Sequence, residues 1–312
     1  MYPAWFDSIA GYSMGKYFFL IFGVFCCSTA VIVLKSMETH PLLVGTYRLL
    51  LAAIVLSPLF IRDWRKHRDL MNFRDVVRLF WPGLFLGLHF ASWAWGARLT
   101  AVANASLIIN LAPIAMPVFA FLLVKERITV KEVSGTLIAV CGVFFLSWMD
   151  LSAGGENMKG NIVCFLSMLS FTMYLAFGRK YASYPSVWLY VVPLYAIAGV
   201  MSFLVSWVVL GDVVIRGQGD WGRMIVLTLV PTIVGHTILN YSLKTLSGQV
   251  VSVFNLHQFV FAATIAFFVY GEFPSWGFFV SAGICVYGAS VVVREAARIA
   301  RKKMQIPDSV DQ

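Results

Sequence analysis

The sequence predicts an all-α membrane protein of ten transmembrane helices in two inverted five-helix repeats. Three observations predict it. Of its 312 residues, 60% are hydrophobic and only 12% charged, about half the charged share of a soluble domain. The apolar residues gather in runs of about 18 to 24, the length a helix needs to cross about 30 Å of hydrocarbon. Shifting the chain by 146 residues lays Trp95 on Tyr241, Arg98 on Lys244, Ser106 on Ser252, Glu126 on Glu272 and Gly142 on Gly288. A basic residue, a Ser, a Glu and a Gly recurring at one offset divide ten helices into five and five. An odd number per copy makes the second copy enter the membrane from the opposite side. Many secondary transporters are built so, with the solute near the midplane between the halves.

The first span runs over 17–34. Residues 1–16 lack the basic flank, apolar core and small-residue cleavage site of a secretory signal, so this span is expected to stay as a helix. The others fall at 42–61, 79–98, 101–124, 132–149, 160–178, 187–210, 223–243, 249–270 and 276–293, with Pro41, Gly154-Gly155, Gly211 and Gly217 to Gly219 punctuating turns. The chain then divides into an N-terminal segment 1–16, a repeat at 17–149, a linker at 150–159, a repeat at 160–293 and a basic tail at 294–312. With the N-terminus cytoplasmic, eighteen Lys and Arg fall in inside segments and five in outside ones. That bias places both termini inside. The formal charge of +9 therefore reports orientation in a bilayer, and no nucleic-acid partner is implied.

Polar side chains within the spans need a partner helix or a wet cavity. In the second span Arg48 lies about six residues from the outer end, close enough either to snorkel to the interface or to bind an anion. One face of the third carries His89, Ser92, Trp93 and Gly96, and one face of the fourth carries Ser106, Asn110, Pro113 and Pro117. The sixth offers Ser167, Ser170 and Tyr174. In the eighth, Thr228, Thr232, His236 and Asn240 recur every four residues as a polar stripe. The ninth reads NLHQFVFAATIAFFVYGE over 255–272, with Ser252, Asn255 and Gln258 in one stripe and His257 at its edge. These stripes either surround a solute pathway or bond neighbouring helices. The candidate solute contacts are His257, Gln258, His236, Asn240, His89, Trp93, Asn110 and Tyr174. The three in-span histidines bind solute, carry a coupled proton or serve structure. Glu126 and Glu272 end their helices beside polar loops and read as structural groups.

Several classes are excluded by what the spacing lacks. The five cysteines lie in apolar runs without a CxxC pair, and no HxxxH or carboxylate spacing supports a metal site. No cofactor is implied. The rival reading of an intramembrane enzyme finds no HExxH, paired in-span aspartates or phosphate-cradling loop.

The segments TYRLLLAAIVL (with Arg48), WGARLTAVANASLIINLAPIAMPVFAFLLVKERITVKEVSGTLIAVCGVFFL (with Pro113, Glu126, Gly135 and Gly142) and NYSLKTLSGQVVSVFN, followed by Glu272 and Gly288, carry a resemblance. Over about 17–293 the chain resembles the EamA family of the drug/metabolite transporter superfamily. The resemblance implies a ten-helix transporter of a small organic solute, often an exporter of amino acids or related metabolites in a bacterial inner membrane. Uptake of a nucleoside-like compound or vitamin is the alternative. Where the family commonly has Leu-Glu-Pro in the ninth helix, this chain has His257-Gln258-Phe259. Without that proline, the ninth helix is expected to run straighter than the fourth.

Overall fold

The structure is a computed structural model that describes residues 13–99, 108–150, 158–215, 217–271 and 276–305. Every element among them is helical: α1 (Ser13–Lys35), α2 (Pro41–Lys66), the short α3 (Phe73–Arg78), α4 (Phe80–Leu99), α5 (Ala112–Val124), α6 (Val130–Asp150), α7 (Met158–Lys180), α8 (Val187–Leu210), α9 (Asp220–Ser242), α10 (Gly248–Tyr270) and α11 (Trp276–Gln305). Seven of these, α1, α2 and α7 to α11, are long and apolar enough to cross a membrane, and α5 is a shorter apolar helix. Residues 101–107 of the expected fourth span, Glu272 and the last seven residues of the tail lie outside the described residues.

Three boundaries differ from expectation for local reasons. Helix α2 continues past 61 because Asp63, buried at its end, accepts a hydrogen bond from Ser186 Oγ at 2.5 Å and is paired with Arg62 Nε at 2.8 Å. Helix α3 occupies part of an expected loop, where Asp75 Oδ2 accepts from Asn72 N at 3.0 Å and so supports its first turn. Helix α11 runs to Gln305, so the basic tail begins as helix; Glu295 is buried and pairs with Arg298 Nη2 at 2.6 Å.

The repeat is visible in the element boundaries. Helix α5 and the second piece of α10 (Gln258–Tyr270) begin and end at positions one repeat apart, as do the starts of α6 and α11. Helix α1 packs on α9 and α10, and its copy α7 packs on α4 and α5. The pairs α2–α8 and α6–α11 each join a helix to its own counterpart.

The α6–α11 seam is closed by small residues. A β-carbon at Gly135 would stand 2.8 Å from the carbonyl of Gly288, and one at Gly288 would stand 2.5 Å from Ala139 N. Both distances are shorter than a real Cβ contact, so glycine is what lets these backbones meet. Ser281 Oγ donates to Gly142 O at 2.5 Å and Cys285 Sγ to Ala139 O at 3.1 Å, so the few polar groups here are satisfied within the seam.

Candidate functional site

A cavity of about 340 Å³ lies in the middle of the helix bundle, between the two repeats. Its walls come from α1 (Cys27, Ser28), α2 (Arg48), α4 (His89, Phe90, Trp93), the turn before α5 (Asn110), α7 (Phe171), α9 (His236) and α10 (Asn255, Gln258, Phe259). The volume is at the lower end of small-molecule pockets.

Two helices are interrupted at its wall. Asn110 and Leu111 form a turn before α5, with Leu111 N bonded to Ile108 O at 3.1 Å and Ile114 N to Leu111 O at 2.9 Å. Pro113 then lies in the first turn of α5, where its missing N–H costs nothing. One repeat later, Leu256 and His257 split α10 into Gly248–Asn255 and Gln258–Tyr270. The ninth helix thus carries a two-residue turn at the same repeat position as the one before α5, although it lacks the proline. Its backbone tightens to three-residue bonds, Leu256 N to Val253 O at 3.2 Å and His257 N to Phe254 O at 3.0 Å. His257 Nδ1 also lies 3.1 Å from Phe254 O, so a side chain engages the carbonyl that a continuous helix would use.

Arg48 turns inward instead of snorkelling. It is only 3% exposed, its Nε donates to Thr232 Oγ1 at 2.8 Å, and its guanidinium carbon stands 4.7 Å over the Phe90 ring. Among the described residues, nothing accepts a hydrogen bond from its two NH₂ groups.

Helix α9 explains how Thr232 is free to hold it. Residues Thr228–His236 form a π-helix that contains Pro231, where each turn takes more residues than an α-helix. Thr232 Oγ1 donates to Leu227 O, five residues back, at 2.9 Å, and its lone pair is left for Arg48. The stripe expected at every fourth residue is thus redistributed, although all four members are buried. Thr228 bonds Met224 O at 2.9 Å, Thr232 anchors Arg48, His236 lines the cavity, and Asn240 lies deeper.

The cavity brings together His89, Trp93, Asn110, His236 and Gln258 of the expected contacts. His89 Nδ1 lies 2.9 Å from Ser167 Oγ, which itself donates to His89 O at 3.0 Å, so this ring is held against α7. His236 Nδ1 is buried without a partner among the described residues. Gln258 Nε2 donates to Asn255 Oδ1 across the start of the second α10 piece.

Asn240 and Tyr174 are outside the cavity and bonded to each other, Asn240 Nδ2 donating to Tyr174 OH at 2.7 Å and to His236 O at 2.8 Å. They form a fully packed layer beside it. His257 is half-buried against Phe254 and does not line the cavity either. Glu126 lies at the far end of α5, 3.5 Å from Arg179 Nε. Sequence reasoning missed Phe90 and Phe171 as wall residues. Nothing in an apolar run distinguishes a cavity-facing phenylalanine from a lipid-facing one.

Interrupted helices meeting at a hollow between two inverted repeats are the architecture of membrane transport proteins. The EamA-like transporter family matches the chain twice, over residues 14–148 and 158–294, and the chain belongs to that family. It is 25% identical over 269 residues to an uncharacterized transporter, YcxC, of Bacillus subtilis (strain 168), covering 82% of this chain and 83% of that protein. It is 20% identical over 284 residues to solute carrier family 35 member G1 of Mus musculus, covering 86% of this chain and 75% of the mouse protein. A solved crystal structure shares the fold with a TM-score of 0.76 at 18% identity, covering 91% of this chain and 99% of that one.

Proposed function

We propose that the protein is a secondary transporter that exports amino acids or amino-acid-derived metabolites across the cell inner membrane. The two repeats rock about their interface and expose the central cavity to each side in turn. The observation that carries this reading is the cavity of about 340 Å³ set where α10 and the chain entering α5 are both broken. Irregular backbone at membrane depth is tolerated where it lines such a space.

The cytoplasmic bias of basic residues supports both termini inside, and it gives the cavity a direction. Its wall uses the outer half of α1, the outer part of α2 and the later part of α4, and reaches past mid-helix at Phe171, His236 and Asn255, which form its floor in this orientation. At the inner end Lys244 Nζ donates to Tyr184 O at 2.7 Å, Arg179 Nη1 to Leu243 O at 2.8 Å and Tyr184 OH to Asp75 O at 2.6 Å. In this orientation the conformation is the outward-facing one. The inner bonds are those that must break for the solute to enter from the cytoplasm. Burial holds the Lys244 ammonium below its usual pKa, in keeping with a gate that is partly dry when closed.

The test is direct. Proteoliposomes carrying the full chain are loaded with a small-molecule extract of bacterial cytoplasm, and solute loss is followed by mass spectrometry with a pH gradient imposed or removed. A defined set of metabolites should leave these vesicles and not protein-free ones. Retention of every solute under both gradients would sink the transporter reading.

A further inference from the structure

We infer that the solute is a small organic acid that binds as a carboxylate anion and carries no cationic amine, with a flat apolar body. The inference rests on the transporter reading; of the proposed substrate class it keeps the amino-acid-derived acids and sets free amino acids aside.

Arg48 is the one charged side chain in the cavity wall among the described residues; no Asp, Glu or Lys joins it there. Removing a guanidinium from water costs several kcal/mol unless a counter-charge meets it. Here one of its five N–H groups is bonded, to Thr232. The remaining donors match the two oxygens of a carboxylate, which takes parallel bonds from such a fork. His236, Asn110 and Gln258 share the wall with Arg48 and supply further hydrogen-bonding groups.

The Arg48 charge rules against a free amino acid. Its carboxylate would be matched by Arg48, but its ammonium would enter a space with a fixed cation and no carboxylate. An acid without an amine, or with the amine acylated, gains the pairing and avoids the repulsion. The body of the solute is set by the rings. Phe90, His89 and Phe171 form one continuous wall, with neighbouring centroids 5.3 Å and 4.8 Å apart, and Arg48 stands at its Phe90 end. A carboxylate held by Arg48 therefore lays an attached ring or unsaturated chain along aromatic faces.

Three probes share a phenyl ring on a two-carbon chain and differ in charge: hydrocinnamate (anion), phenylalanine (zwitterion) and phenethylamine (cation). Thermal stability of the purified full-length protein is titrated with each, since a ligand of the folded state raises the melting temperature. Hydrocinnamate should bind at least about tenfold more tightly than phenylalanine, a difference of ~1.4 kcal/mol, and phenethylamine should produce no shift. Arg48→Met should abolish the hydrocinnamate shift and Arg48→Lys should keep a share of it, with both variants checked for monodispersity.

Equal or stronger stabilisation by phenylalanine or phenethylamine overturns the inference, as does the absence of any shift from hydrocinnamate up to roughly ten millimolar. Persistence of its shift in Arg48→Met does the same. Binding and flux separate the two claims. If hydrocinnamate binds through Arg48 yet the loaded proteoliposomes lose nothing, the anion site stands and transport falls. If the vesicles release only zwitterions or amines, transport stands and the anion site falls.

Discussion

The α6–α11 seam and the central cavity are both places where the two repeats meet, and they are built on opposite terms. At the seam glycines bring two backbones together, each polar group named above bonds within the contact, and no room is left. At the cavity the helices are broken or unwound into a π-turn, and polar side chains line the space left between them. Unbroken α-helices with small faces close an interface; interruptions with polar walls hold one open. A repeat protein that must both stay assembled and admit a solute needs one of each.

The comparison breaks first at the seam. Gly288→Leu puts a side chain where a β-carbon already stands 2.5 Å from backbone. Overpacking a tight site costs about 1–3 kcal/mol or more, and a rigid backbone neighbour sets this one at the upper end. We expect no monodisperse protein after extraction; recovery of folded material by size-exclusion chromatography at wild-type yield would show that the seam can yield.

At the cavity the most severe change is Arg48→Met. Charge-assisted hydrogen bonds are worth about 1.5–3 kcal/mol each, so flux of the transported solute should fall by roughly a hundredfold. Because Met removes an unneutralised buried cation and keeps the bulk, the melting temperature should be unchanged or higher. A variant that loses stability together with flux would make Arg48 a structural anchor.

Tyr174→Phe tests the packed layer beside the cavity. It leaves Asn240 Nδ2 with His236 O alone, and a half-satisfied buried amide costs about 1–3 kcal/mol. The expected outcome is a lower melting temperature by a few degrees with little change in apparent KM. Gln258→Ala should do the reverse, raising KM by about five- to tenfold for the loss of one neutral hydrogen bond of ~1 kcal/mol. The smallest effect is expected for His257→Ala, whose ring bonds its own helix and not the cavity. Transport within twofold of wild type, in the same vesicle assay, is the expected result. A large loss would mean that the break in α10 depends on that ring.

Much of the architecture is legible in the sequence because bilayer thickness and helix rise leave few choices. The expected span at 187–210 and the observed Val187–Leu210 coincide, and an offset read from Arg98, Ser106, Glu126 and Gly142 reappears as matched helix boundaries. The site is harder to read, for identifiable reasons. Period four in Thr228, Thr232, His236 and Asn240 fits an α-helix; Pro231 in the same run marks a disturbance, but not that the backbone will answer it with π-turns. Arg48 lies at a depth from which its side chain reaches either the interface or the interior, so only the position of Thr232 and Phe90 decides. The break at Leu256–His257 carries no Gly or Pro, the residues by which breaks are recognised. His257 and Gln258, adjacent in sequence, separate because the break puts one inside the turn and the other at the start of a helix.

The hydrogen bond from Cys285 to the carbonyl of Ala139 joins residues 146 apart, the repeat offset itself. A residue that touches its own copy sits on an axis of symmetry. A single five-helix chain inserted into a membrane in both directions would make that contact with a second molecule of itself. The seam that holds one polypeptide together thus has the form of a self-complementary contact between antiparallel copies. At the cavity the copies differ in chemistry: Arg48 has a counterpart in Leu194 and His89 in Gly235. At the seam the paired copies are all small, Gly142 with Gly288, Gly135 with Ser281 and Ala139 with Cys285, whereas at the cavity one copy alone carries the charge.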